Sequence, residues 1–181
     1  MRRSPTHYGQ NMEQENIKYH FKKPDDISPR ILDQIKTLIR EGGGVGTAWL
    51  EENLRNAFLI GYAMHNGRVV GSSTHKHPKR EYRDKIEAAT GLDLYGYIER
   101  GYTTVKPEYR DQDIGDRLIK GLIERSKGKK IYVTIRMDNI EPLKLTYKNG
   151  MIMAGKFIHH KTGHEIGVFV NHIGGSPRTA P

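Results

Sequence analysis

The sequence predicts an α+β domain, a central mixed and mostly antiparallel sheet flanked by helices. Three observations predict it. Strand-like and helix-like patterns follow one another along 181 residues with no low-complexity linker and no internal repeat. Two hairpin signals are present, around Asn66-Gly67 and around Lys161-Thr-Gly163. The amphipathic helices between them each have one apolar stripe, which a sheet is the economical way to cover.

Ile17 to Phe21 alternates as a strand. Ile31, Ile35, Leu38 and Ile39 mark a helical face, with Ser28 at the N-cap and Pro29 at the first helical position. The run Gly42 to Gly46 breaks that helix, and Thr47 to Asn56 reads as a second one. Phe58 to Met64 and Arg68 to Thr74 then flank Asn66-Gly67, the preferred pair of a type I′ turn. Lys79 to Ala89 reads as a short surface helix, set aside from the main order. Tyr97 to Val105 is a strand ended by Pro107. Asp113 to Ser126 is a helix with Ile114, Leu118, Ile119, Leu122 and Ile123 on one stripe. Ile131 to Ile135 is a strand rich in β-branched residues. The next helix has Pro142 in its first turn and Gly150 at its end, and Met151 to Phe157 and Glu165 to Val170 close the chain as a hairpin. The order is β-α-α-β-β-β-α-β-α-β-β. One domain is expected over 17–173, between a flexible N-terminal segment, 1–16, and a flexible tail, 174–181.

Composition narrows the class. Hydrophobic residues make up 35% and mean hydropathy is −0.72, and the longest apolar runs, such as Ala57 to Ile60, fall far short of the ~20 residues a spanning helix needs. No membrane partner is expected. Arg2 and Arg3 are followed by no apolar region, so no secretory signal is read and a cytoplasmic location is the default. The absence of cysteine excludes a cysteinyl intermediate. A net charge of +9 and a pI near 9.6 favour a polyanionic partner, coenzyme A or nucleic acid. The basic runs Lys76 to Arg80 and Lys127 to Lys130 lack the aromatic interleaving of an RNA-binding sheet. They read as solvated loops.

The chemistry concentrates in Val105 to Leu118. A strand feeds a short Arg-bearing loop that opens a helix, which aims several backbone N–H groups at one place and makes that place positive. Phosphate is its natural occupant. This loop, together with the element order over roughly residues 17 to 171, resembles the GNAT superfamily of acetyl-CoA-dependent N-acyltransferases. That family's pattern is Arg or Gln, two variable residues, Gly, one variable residue, then Gly or Ala. Arg110, Asp113 and Gly115 stand at those positions, with Asp113 in place of the first glycine.

The resemblance implies acetyl-CoA as cosubstrate and direct transfer of an acetyl group to a primary amine of an unidentified small molecule or peptide. Backbone amides of Arg110, Asp111, Gln112, Asp113, Ile114, Gly115 and Asp116 would hold the pyrophosphate, and Thr103, Thr104 and Val105 would pair with the pantetheine arm. Asn139, at the head of a helix, stands where the family contacts the cofactor arm, or is simply that helix's N-cap. Glu99 meets the family's spacing for the residue that deprotonates the amine. Its period-two partners Gly101, Thr103 and Val105 are expected on the same face. The bland alternative pairs Glu99 with Arg100 or a neighbouring strand's cation. Tyr147 is the candidate acid for the departing thiolate, although the family's position, four residues before Gly150, holds Thr146. Asp113 either faces the phosphate or caps the following helix.

His75 and His77 are placed on one strand face without a third ligand, and no metal is expected. Gly42 to Thr47 lacks a Gly-Lys-Ser/Thr ending and is not a Walker loop. With Lys76 to Gly96 it would border the acceptor pocket. Two other readings are carried. One is a catalytically degenerate fold that binds acyl-CoA or a protein partner. The other, motivated by charge alone, is a nucleic-acid-associated domain. A monomer or homodimer is expected.

Overall fold

The computed structural model describes residues 16–43 and 46–171. The expected tail, and the N-terminal segment but for residue 16, lie outside the described residues. Among the described residues seven strands form one sheet: β1 (Lys18–Lys22), β2 (Ala57–His65), β3 (Arg68–Lys76), β4 (Tyr97–Val105), β5 (Lys130–Arg136), β6 (Met151–Ile158) and β7 (Glu165–Asn171). Their spatial order is β1-β2-β3-β4-β5-β7-β6, and the β4–β5 pair alone is parallel. Five helices flank it: α1 (Pro29–Gly42), α2 (Leu50–Arg55), α3 (Arg80–Thr90), α4 (Ile114–Arg125) and α5 (Ile140–Lys148). The expected mixed, mostly antiparallel sheet is what forms.

Local chemistry accounts for the joints. Asn66 (φ 48°) and Gly67 (φ 75°) both take the left-handed region that a type I′ turn demands. α1 stops where Gly43 adopts φ 64°. Ser28 occupies the N-cap position with extended backbone, but its side chain makes no capping bond. α2 is shorter than expected, because Thr47 to Trp49 form a turn and only Leu50 and Leu54 supply a buried stripe. The Lys79–Ala89 segment is a full helix, α3, whose Ile86 is completely buried.

The sheet buries both faces. On the first, Ile35, Leu38 and Ile39 of α1 with Leu50 and Leu54 of α2 cover Ile60, Tyr62 and Val69. Farther along the same face, Ile86 of α3 meets Tyr132 and Val168. On the second face, Ile114 and Leu118 of α4 pack on Ala63. There Leu143 of α5 joins Ile98, Ile131, Val133, Ile135 and Phe169. Fully burying one such side chain contributes about 1.5–3 kcal/mol, so these layers hold the sheet at a defined height under α4 and α5. Gly121 in α4 is a close-approach position: a Cβ there would lie 2.1 Å from the ring of Phe21.

Two features shape the middle of the sheet. β4 and β5 pair only at Tyr97–Lys130, Ile98–Ile131 and Glu99–Tyr132. Beyond that point β5 goes on with β7 while β4 stays with β3, so the two strands part and the Arg100–Val105 edge of β4 faces a split. Within the same stretch β4 bulges. Thr74 opposes Gly101 and Ser72 opposes Thr104, leaving Ser73 opposite both Tyr102 and Thr103, and Tyr102 takes φ 53°. The bulge corrects the expected face assignment. Glu99 and Gly101 share the α1 face with Thr104, whereas Val105 turns to the α4 face and Thr103 sits in the irregularity.

Candidate active site

The loop after β4 is built as an anion cradle. A 3₁₀ turn, Pro107–Tyr109, carries the chain out of β4. Asp111 (φ 60°) and Asp113 (φ 57°) then hold left-handed backbone on either side of Gln112, a short alternation of the kind that points successive amides into one concavity. Aspartate is among the few non-glycine residues that tolerate this region, which is how Asp113 replaces glycine without changing the turn. Among the described residues, the amides from Asp111 to Asp116 donate to no protein acceptor. Arg110 is exposed, with Nε 3.4 Å from the Val105 carbonyl.

The Asp113 carboxylate does not cap the following helix, the second of its two expected places. It turns outward, 3.4 Å from Lys148 Nζ. The same ammonium lies 3.0 Å from Asp116, whose carboxylate also receives Lys120 at 2.8 Å and Asn149 at 2.9 Å. Burial raises the pKa of Asp116, and hydrogen bonds from Lys120, Lys148 and Asn149 outweigh it, so the net pKa is lowered. Lys148 thus balances the acidic side chains at the head of α4 and leaves the amides open. A Cβ on Gly115 would meet Leu145 at 3.4 Å and Val105 at 3.8 Å, ordinary contacts. Packing alone does not require glycine there.

Thr103 is exposed and Thr104 and Val105 half-buried along the open edge of β4. Ser73 Oγ and Thr103 Oγ1, 2.8 Å apart, pin the bulge. Asn139 is the N-cap residue of α5, exposed, and its side chain makes no capping bond.

Glu99 is 6% exposed on the α1 face, and its Oε2 lies 2.6 Å from Nζ of Lys76, its cross-strand partner. The expected alternative of a neighbouring strand's cation is therefore present. Around this pair stand Tyr102, whose ring lies 5.6 Å from Lys76 Nζ and whose hydroxyl accepts from Asn53 Nδ2 at 2.7 Å, and the buried hydroxyls of Thr74 and Tyr132, which have no protein partner. Burial, then the Glu99 carboxylate, pushes the Tyr132 phenol up. The cluster is polar, buried and centred on one carboxylate.

On the α4 face the neighbour of Glu99 is Arg100, 4% exposed. Its guanidinium reaches Thr146 Oγ1 on α5 and, at 3.2 Å, Met151 Sδ on β6, so it spans from β4 to the elements beyond the split. Thr146 is fully buried and faces β4. Tyr147, one step of about 100° round the helix, is 50% exposed and sets its ring edge-on to Phe169 of β7, with centroids 5.4 Å apart.

His75 and His77 do not converge. His75 is buried against Ser126 Oγ at 2.8 Å, while the ring of His77 lies beyond β3 beside Phe58. Among the described residues no group of three potential metal-binding side chains forms, and no helix is long and apolar enough to cross a membrane.

The structure thus sets Glu99, Thr103, Thr104 and Val105 along β4 and the free 111–116 amides in the loop after it. It binds the expected Arg110 amide to the Pro107 carbonyl instead, puts Asn139 at the head of α5 and turns Tyr147 to Phe169 of β7. Lys76, Arg100, Tyr102 and Tyr132 were not read from the sequence as site residues. Lys76 had a usable signal, since extending the β3 alternation two residues past Thr74 places it across from Glu99.

No protein-family model matches the chain, and no curated protein matches it in sequence. Solved structures do. An acetyltransferase of the GNAT family from Streptococcus agalactiae superposes with a TM-score of 0.65 at 16% identity, covering 87% of this chain and 96% of that one. Arabidopsis thaliana NAA60 in complex with acetyl-CoA gives a TM-score of 0.65 at 14% identity over 86% of this chain and 100% of that one. The ribosomal-protein-S18-alanine N-acetyltransferase from Escherichia coli gives 0.62 at 10% identity, over 91% and 99%. With its bulged β4, its single parallel pair and its split sheet, this chain has the fold of the GNAT acetyltransferases.

Proposed function

We propose that the chain is an acetyl-CoA-dependent N-acetyltransferase acting on a primary amine. One observation carries the reading: the open edge of β4 runs from Glu99 along the split and ends at six consecutive amides with no protein acceptor. A ligand that is a pyrophosphate at one end and amide-bearing along its arm fits that sequence of features, because each needs backbone donors and acceptors already unpaired. The structure of NAA60 with acetyl-CoA supports the choice of ligand for this fold.

In this reading the amides of Asp111 to Asp116 hold the pyrophosphate, the Arg110 amide being already bound to the Pro107 carbonyl at 3.2 Å. Thr103 to Val105 pair with the pantetheine amides, and the Asn139 side chain contacts the arm. The amine approaches the polar cluster on the α1 face. Glu99 accepts the ammonium proton, directly or through water, and frees the nitrogen lone pair for attack on the thioester carbonyl carbon. Fixing amine and thioester together supplies much of the acceleration. Tyr147 remains the candidate acid for the sulfur only if α5 rotates, since its ring faces β7.

A second reading, a non-catalytic acyl-CoA-binding module, is favoured by that same orientation and by the Lys76 ammonium held against Glu99. A free-thiol assay with acetyl-CoA and a broad panel of amines separates the two. Thiol release dependent on one amine class supports the enzyme. Tight acetyl-CoA binding with no transfer to any amine supports the module.

A further inference from the structure

We propose that Arg100 receives the departing CoA thiolate, acting as its electrostatic partner in place of a hydroxyl acid. The inference rests on the acetyl-CoA reading above and deepens it. A guanidinium carries five N–H donors. Arg100 spends one on Thr146 and one on a thioether sulfur, a weak acceptor, and no carboxylate among the described residues lies within ion-pair distance of it. A cation buried to 4% exposure without an anion is costly unless an anion arrives during function. Arg100 and Val105 lie opposite His75 and Gly71, four β3 residues apart because the bulge absorbs one, so at ~3.3 Å per strand residue Arg100 stands about 13 Å back along β4 from Val105. That is the inner end of the open edge, where an arm anchored at residues 111–116 would place its sulfur. Its immediate neighbour Glu99 stands in the polar cluster on the other side of the strand. The pair therefore puts proton acceptor and anion receiver on opposite faces of one reacting point.

Thr146 sharpens the argument. It occupies the position four before Gly150, is fully buried, and has its hydroxyl oxygen accepting from Arg100. The helix face that looks at the split thus presents a hydroxyl already bound to a cation, while Tyr147 looks at Phe169.

The step balances without a further reagent. Glu99, directly or through water, takes one proton from the substrate ammonium. The freed lone pair forms the C–N bond, the C–S bond breaks with its electron pair on sulfur, and the second N–H proton, acidic once the nitrogen carries the acyl group, passes to water. Sulfur is stabilised as thiolate beside Arg100, which stays protonated, and takes a proton from water on release. Burial lowers the pKa of Arg100 only to about 10, so the side chain is a cation throughout neutral pH. Its cross-strand neighbour is His75 of β3, and it touches Thr146 of α5 and Met151 of β6. On α4, Asp116 is held by Lys120, Lys148 and Asn149. His75 is held neutral there, its pKa pushed down to about 3 by burial and by Arg100.

The test is calorimetric titration of the full chain with CoA and with desulfo-CoA, which lacks the sulfur, from pH 7 to 9. A cation at contact lowers a thiol pKa by about 1–3 units, so binding of CoA releases a proton in this window. Its affinity relative to desulfo-CoA should then rise about tenfold from pH 7 to 9. Arg100→Met should abolish the rise and leave desulfo-CoA affinity unchanged, and Arg100→Lys should retain it. Should Arg100→Met fail to fold in a melting scan, the wild-type and Arg100→Lys curves decide. Parallel wild-type curves for the two ligands would leave the cofactor reading standing and overturn this one, as would a rise that persists in Arg100→Met. Binding of neither ligand to the wild type would overturn both.

Discussion

Lys76 Nζ lies 2.6 Å from Glu99 Oε2, directly across β3 and β4, with both side chains almost wholly buried. The pair sets what a change at Glu99 does. Glu99→Gln leaves a buried ammonium without its anion, which typically costs about 3–5 kcal/mol. Urea unfolding should show that loss, and adding Lys76→Met should recover most of it.

The same substitution tests the proton acceptor. In Glu99→Gln, turnover should fall strongly at neutral pH and much less at high pH, where the amine deprotonates itself. An equal loss at every pH, measured on protein confirmed as folded, would give Glu99 a structural role only.

The cradle makes its own prediction. Gly115→Val should leave the melting temperature close to wild type, because the space beside Gly115 accepts a Cβ in ordinary contact, yet should abolish acetyl-CoA binding by crowding the amides. Asp113→Gly removes an exposed carboxylate, suits φ 57°, and leaves Lys148 paired with Asp116 alone. It should tighten acetyl-CoA binding several-fold in calorimetry, and weaker binding would assign Asp113 a positive role.

Tyr147→Phe should change turnover by less than about threefold, since the ring is half exposed and edge-on to Phe169. A loss of 10²–10⁴-fold, the range of a general acid, would show that α5 turns Tyr147 into the split during turnover.

Much of this was legible in the sequence, for identifiable reasons. Apolar periodicity located the strands and α1 and α4, Pro142 and Gly150 marked α5, α3 was read as a surface helix outside the main order, and Asn66-Gly67 set the register of its hairpin. Arg110 and Gly115 marked the loop because a cradle needs particular backbone shapes. The faces of β4 were not legible, because period two carried straight through the strand ignores the bulge at Tyr102, next to Gly101, which inverts the parity of every residue that follows. Arg100 was not legible either. Its role depends on β4 and β5 parting after Glu99, a consequence of β7 pairing with β5 that no local pattern encodes. Lys76 was missed by ending β3 two residues early.

His75 predicts an acid-labile fold. Its pKa is lowered to about 3 in the folded chain by burial and by Arg100, against an ordinary value of 6.5. Between those values the unfolded chain binds a proton that the folded chain refuses. Stability therefore falls as pH drops below 6.5, by at most about 1.4 kcal/mol per pH unit from this residue. Urea unfolding at pH 7 and pH 5 should show the loss, and His75→Asn should flatten it.

The most direct test of the central claim is calorimetric titration of acetyl-CoA into the wild-type chain at neutral pH. The account predicts saturable binding at one site per chain, weakened by salt as phosphate contacts are screened. No heat of binding at millimolar acetyl-CoA, from protein shown to be folded, would contradict it.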